Sequence, residues 1–325
     1  MNQPRAIPMN NLAIRSTLAA LVAISTTCNA EEKAELSFSS TEVAPGLYML
    51  MGVGGFTGGN IGLSIGDDGV VMIDDSMPPM LDIMKTAIAS VTDKPVDFLI
   101  NTHVHGDHTG NNATLASDGA HIVAHENLRR HLVQHGVQTA DGMKPAPKAA
   151  LPVITFSREM DFYLNGQDAH LFHVAHAHTD GDSVIQFRGA NVIHTGDVLF
   201  NGLFPFIDLD SGGSVEGYLA AQKQILALVD DKTRIIPGHG PLAGKADLKA
   251  SVDMLEDSIA LIKAQIKAGK SEDEVVAMNP LAKYHDKWNW GFITTEKMTR
   301  QLYAGLKSPN ASATSSDPSG HGHEH

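Results

Sequence analysis

Residues 98–112 read FLINTHVHGDHTGNN, which puts three histidines and one aspartate into the six positions that follow an apolar run. Imidazole and carboxylate are ligands for divalent cations, zinc above all. His103 and His105 are two apart, so at a strand end both side chains project to one side, and Gly106 then lets the chain turn sharply. Asp107 and His108 fall in that turn, close enough to reach a second metal beside the first. A single histidine is usually just a polar surface residue; four ligand-type side chains in six positions after a buried strand argue against a plain surface loop.

Three further islands sit at the C-terminal ends of strand-like runs. In HVAHAHTDGDS, His176 and His178 face one way and His173 the other. Asp197 follows a strand in NVIHTGDVLF, and His239 lies in a Gly-flanked loop in RIIPGHGPL. Each alone is weak, since His239 could be a turn residue and Asp197 a helix cap. Together they are specific.

These side chains need a mixed α/β scaffold to bring them together. GLYMLMG and NIGLSIGDDGVVMIDD give strand-like runs, with a hairpin signal at Asp67-Asp68-Gly69. MLDIMKTAIASV has helical periodicity, PVDFLINTH and AHIVAHE read as strands, and ENLRRHLVQHG reads as a helix. Residues 136–153, with three prolines and two glycines, predict an irregular loop. A strand-rich run spans Ile154 to Phe200, followed by the helical SVEGYLAAQKQILALV, the strand RIIPGHG and two or three closing helices over 245–307. No fixed-period repeat is evident.

The chain has 325 residues, ample for a sizeable core. Its first thirty carry Arg5 and Arg15, no acid, an apolar stretch over 18–24 and small residues before EEKAE, which predicts a signal peptide at 1–30 and a periplasmic or secreted protein. The single cysteine, Cys28, lies in that segment, so a mature chain would hold metal through His, Asp or Glu alone and would have no cysteine nucleophile. The formal charge of -13 disfavours nucleic acid as a partner and leaves a small molecule as the expected one. No later segment is long and apolar enough to insert into a membrane. Residues 31–307 are expected to form the folded domain, and the polar tail 308–325, with His321, His323 and His325, reads as disordered.

The signature H-x-H-x-D-H formed by His103, His105, Asp107 and His108, with the later islands in the same order, resembles the metallo-β-lactamase superfamily. The likeness runs from about Glu42 to His239. It implies an α/β fold, a four-layer αββα sandwich with the metals at one edge of the two sheets. It gives one metal to His103, His105 and His178, a second to Asp107, His108 and His239, and a bridging role to Asp197. His178 is preferred over His176 because it opens His-Thr-Asp, the family's third motif. His121, His125, His131, His135, His170, His173, His194 and His285 read as ordinary surface or core histidines.

The thiolate-free ligand set suits two zinc ions, while iron or manganese would be tolerated. By the resemblance, a metal-bridging hydroxide attacks the substrate, with Asp107 holding it as the catalytic residue. Exported β-lactamases of the commonest subclass carry Cys at the place of Asp197 and Lys at that of Phe200; the Asp resembles the glyoxalase II, lactonase and phosphodiesterase branches. The Gly-rich segment 51–62 resembles the family's hairpin over the site, with Phe56 at its tip. Phe200, Phe204 and their neighbours Leu203, Pro205 and Phe206 would form an apolar lip, core packing being the equal alternative. The leading expectation is an exported hydrolase opening a cyclic amide or ester, β-lactamase-like. The alternatives are a lactonase or glyoxalase II-like thioesterase, an iron-dependent persulfide dioxygenase, and a nucleic-acid phosphodiesterase, which acidity and export oppose.

Overall fold

The structure, a computed structural model, describes Met1 and residues 35–307 other than Ala140. The expected signal peptide at 1–30, apart from Met1 but including Cys28, and the tail 308–325 lie outside the described residues. The elements begin with four strands, β1 (Ser37–Ala44), β2 (Leu47–Val53), β3 (Ile61–Gly66) and β4 (Gly69–Ile73), then α1 (Leu81–Ala89) and β5 (Phe98–Ile100). They continue through α2 (Gly106–Thr109), α3 (Asn112–Ser117), β6 (His121–His125), α4 (Glu126–His135), β7 (Val137–Thr139), β8 (Gly142–Lys144) and β9 (Ile154–Phe156). The second half holds β10 (Glu159–Leu164), β11 (Gln167–His173), β12 (Ser183–Phe187), β13 (Val192–His194), α5 (Val215–Leu228) and β14 (Arg234–Ile236). Four helices close the described chain: α6 (Lys245–Lys267), α7 (Glu272–Met278), α8 (His285–Trp288) and α9 (Thr295–Lys307).

One sheet has the order β1-β2-β3-β4-β5-β6-β9 and the other β10-β11-β12-β13-β14. Period-two alternation in the strands builds the layers. Ile73, Ile100 and Val123 of the first sheet meet Leu171, Ile185 and Ile236 of the second in one buried cluster. The alternate residues Val70, Met72, Leu99 and Ile122 turn outward onto Met84, Ile88 and Leu115 of α1 and α3. On the far side, Val184, Ile193 and Ile235 pack against Ala221, Ile225 and Leu248 of α5 and α6. The sequence helix-sheet-sheet-helix across these clusters is the expected four-layer sandwich. A fourth cluster, including Tyr218, Leu255, Trp288, Met298 and Leu302, ties α5 and α6 to the closing helices.

The expected hairpin at Asp67-Asp68-Gly69 is present as an antiparallel β3-β4 pair whose register closes at Gly66 opposite Gly69. Two local readings differ. Residues 136–153 are not wholly irregular, because Val137–Thr139 pairs with Gly142–Lys144 as a two-stranded ribbon; prolines and glycines at its borders mask so short a pairing. The strand expected in PVDFLINTH shrinks to Phe98–Ile100, since Asn101 and Thr102 leave the ladder to support the site. Among the described residues no helix is long and apolar enough to cross a membrane.

Candidate metal centre

The segments that follow β5, β11, β13 and β14 converge at one edge of the sandwich. His103 and His105 leave β5, Asp107 and His108 form the short α2, and His178, Asp197 and His239 come from the second sheet. The donor atoms form two groups, His103, His105, His178 and Asp197 in one, Asp107, His108 and His239 in the other. Asp197 spans them: its Oδ2 is 3.4 Å from His178 Nε2 and 3.4 Å from His239 Nε2, and its Oδ1 is 3.1 Å from His108 Nε2. Asp107 Oδ2 stands 3.4 Å from His239 Nε2 and 3.7 Å from His108 Nε2.

Outer partners fix which ring nitrogen faces inward. His108 Nδ1 donates to Asp74 Oδ2 at 2.7 Å, His178 Nδ1 to the Phe206 carbonyl at 2.7 Å, and His105 Nε2 to Asp208 Oδ2 at 2.8 Å. The Thr102 hydroxyl donates to Asp74 at 2.7 Å and so can accept from His103 Nδ1 at 3.0 Å. Each of these imidazoles, in its neutral form, thereby has its lone pair pointing into the cluster, the arrangement a metal ligand needs. Two of the lone pairs, His105 Nδ1 and His178 Nε2, face one another at 2.8 Å. Facing lone pairs repel unless a cation lies against both. His103 Nε2 and Asp197 Oδ1 are also buried without a hydrogen-bond partner. The residues therefore fit divalent metal, and the donor chemistry of imidazole and carboxylate suits zinc.

Burial drives the charged form of His103 far down and brings His178 to about 4, so both are neutral near pH 7. Burial also opposes charge on His108 and His239, but Asp197 and Asp107 outweigh it, raising His108 and lifting His239 to about 9. Burial likewise opposes ionisation of Asp107, yet His108 and His239 bring it down to about 2. Metal entering the second group must displace protons from His108 and His239, so its binding should release them.

Backbone fit is tight here. A Cβ on Gly59 would collide with the His108 ring and one on Gly238 with Asp197 Oδ1. Asp74 sits at φ 59°, a left-handed conformation that aspartate tolerates better than most residues, and this aims its carboxylate at both Thr102 and His108.

The centre opens into a cleft of about 1180 Å³. Phe56 lines it and stacks on His239 with ring centroids 5.8 Å apart. Phe200 also lines it, stacked on His239 at 5.0 Å. Phe204 does not: it is fully buried in the core formed with the closing helices, and its carbonyl accepts from Trp290 Nε1 at 2.9 Å. Phe206 reaches the cleft instead. His176 stays outside both donor groups, its Nδ1 2.9 Å from the Gly212 carbonyl. Sequence reasoning missed Asp74, Asp208, Trp290 and Phe292. Only the acid pair in MIDD offered a local signal, and it is indistinguishable from a turn.

Comparison with known proteins gives a consistent set of likenesses. The model of a family described as the metallo-beta-lactamase superfamily matches residues 54–239. The chain is 24% identical over 211 residues to the 2,4-dinitroanisole O-demethylase subunit alpha of Nocardioides sp. (strain JS1661), covering 64% of this chain and 60% of that one. It is 29% identical over 164 residues to a hydroxyacylglutathione hydrolase of Polaromonas sp., covering 49% of this chain and 54% of that one. The chain thus spans between half and three-fifths of the length of these two relatives. Among solved structures it is similar in fold to a metallo-beta-lactamase from Pontibacter korlensis, with a TM-score of 0.56 at 16% identity, over 68% of this chain and 100% of that one.

Proposed function

Since the chain belongs to the metallo-β-lactamase superfamily, a superfamily of metal-dependent hydrolases, we propose that it is an exported dinuclear zinc hydrolase whose preferred substrates are uncharged esters, lactones or thioesters. The observation that carries this reading is the pairing of the seven-donor centre with a cleft whose lining, among the described residues, contains no Lys or Arg. A β-lactam has the same kind of reactive carbonyl but also a carboxylate, and among the described residues of the lining no Lys or Arg stands ready to pair with it. β-Lactam opening therefore ranks behind neutral ester cleavage. The hydroxyacylglutathione hydrolase relative is named for cleavage of a thioester, itself a charged one, and the 2,4-dinitroanisole O-demethylase relative for an uncharged aromatic ether; the first name favours acyl cleavage and the second an uncharged substrate.

Zinc, when bound, supplies a Lewis acid and an acidified water at neutral pH. The protein's own residues do the rest. Asp107, ionised down to about pH 2 and reaching the cleft, can accept a hydrogen bond from a water and orient it toward a bound carbonyl. Asp74, Asp208 and the Phe206 carbonyl keep three imidazoles in the tautomer that faces inward, and Thr102 does the same for His103.

The test is a panel of phenyl esters, γ-lactones, thioesters and β-lactams assayed on zinc-loaded protein with and without chelator. Neutral esters or lactones should show kcat/KM at least ~10-fold above β-lactams, and chelation should remove the activity. A preference for β-lactams, or dioxygen consumption with persulfides in place of hydrolysis, would contradict it.

A further inference from the structure

The family match ends at residue 239, yet part of the cleft wall comes from beyond it: Trp290 and Phe292, in the loop between α8 and α9, line the cleft beside the donor groups. Their rings meet edge to face at 5.6 Å, and Phe292 meets Phe206 likewise at 5.5 Å. Trp290 lies 6.1 Å from Phe200, which stacks on His239, while Phe206 stacks on His105 at 5.7 Å. These rings form one aromatic wall touching a ligand of each donor group at its two ends.

The wall is held in place from behind. Trp290 Nε1 donates to the Phe204 carbonyl at 2.9 Å, and Phe204 N donates to the Trp288 carbonyl at 2.7 Å. Asn289 Oδ1 accepts from Thr295 N at 2.9 Å, closing the loop onto the start of α9. Phe292 is nevertheless 50% exposed, a large apolar ring fixed in an open position where burial gives no reason for it. Lys297 donates to the Phe292 carbonyl at 2.9 Å and lies 5.4 Å from its ring centre, outside the cleft lining.

We infer that Trp290 and Phe292 determine substrate specificity by receiving a planar aromatic group of the substrate, so that the preferred ester, lactone or thioester is an uncharged, aryl-bearing one. This rests on the hydrolase reading above. Ring-to-ring contacts in offset or edge-to-face geometry favour aromatic over aliphatic groups of equal size, whereas a merely greasy wall favours whichever is more hydrophobic.

Two ketones that cannot be hydrolysed separate these cases: acetophenone, and cyclohexyl methyl ketone, which is as large and more aliphatic. Calorimetric titration of the zinc-loaded protein should show acetophenone binding several-fold tighter. Phe292→Leu, which keeps an apolar side chain at an exposed position, should erase that preference, and Phe292→Tyr should retain it. Equal binding of the two ketones by the native protein, or an unchanged preference in Phe292→Leu, would overturn the inference. The ester panel reports on catalysis separately: ring discrimination without ester turnover would sink the hydrolase reading and leave the aromatic subsite standing.

Discussion

Of the five histidines that point inward, His103, His105, His108 and His178 have the outer nitrogen engaged, and among the described residues Asp197 is the carboxylate whose two oxygens address both donor groups. Asp197→Ala should cost at least ~10 to 100-fold in metal affinity or activity, the range seen for removing outer partners alone. The loss should fall more on the second group, which would keep Asp107, His108 and His239 but lose the restraint that holds them against the first. Equilibrium dialysis with zinc checks this; retention of both ions and near-normal turnover would remove Asp197 from the bridge. The seven donors could be found in the sequence because strand-end spacing and motif order are local properties. Asp208 could not, since it meets His105 across 103 positions and its DLDSGG setting reads as a turn. Lip and core packing are equal readings of Phe204 in the sequence because alternation in LFPFI does not say which ring enters the core; the structure buries it.

At the scale of elements, α4 begins with an unusual cap. His125 Nδ1 accepts from Asn127 N at 3.3 Å while its Nε2 donates to the Ser157 carbonyl at 3.0 Å, and its ring stacks on His173 at 3.8 Å. Burial lowers both histidines from 6.5, His173 to about 4 with a further push from His125. The unfolded chain therefore binds protons that the folded pair refuses between about 6.5 and about 4. Stability contributed by the neutral pair is whole above that window, falls as pH drops through it, and is lost for this pair below it. Protonating His125 Nδ1 also removes the acceptor at the start of α4. Between pH 7 and 4.5 the native protein should lose roughly 3 °C more in melting temperature than His173→Phe, which removes one titrating partner of the stack. Parallel losses in the two proteins would mean that the pair does not titrate with folding. The helix itself was legible from ENLRRHLVQHG, but its cap was not, because histidine is not among the usual capping residues.

For the molecule as a whole, strand-like and helical runs predicted a mixed α/β scaffold, the resemblance implied two packed sheets between helical layers, and the structure has both sheets and both helical layers. The role of the closing helices was not legible: 51 positions separate Trp290 from His239, and no motif marks that stretch. The loop reaches the cleft only because Trp288, Met298 and Leu302 pack with Tyr218 and Leu255 in one core. Sheets, closing helices and outer hydrogen bonds together hold two adjacent donor groups ready for metal. Metal content by inductively coupled plasma mass spectrometry, on protein purified without added metal, tests that claim most directly. The dinuclear zinc account predicts about two zinc ions per chain, one for each donor group. A single tightly held iron per chain, with no zinc and no second ion taken up on titration, would contradict it.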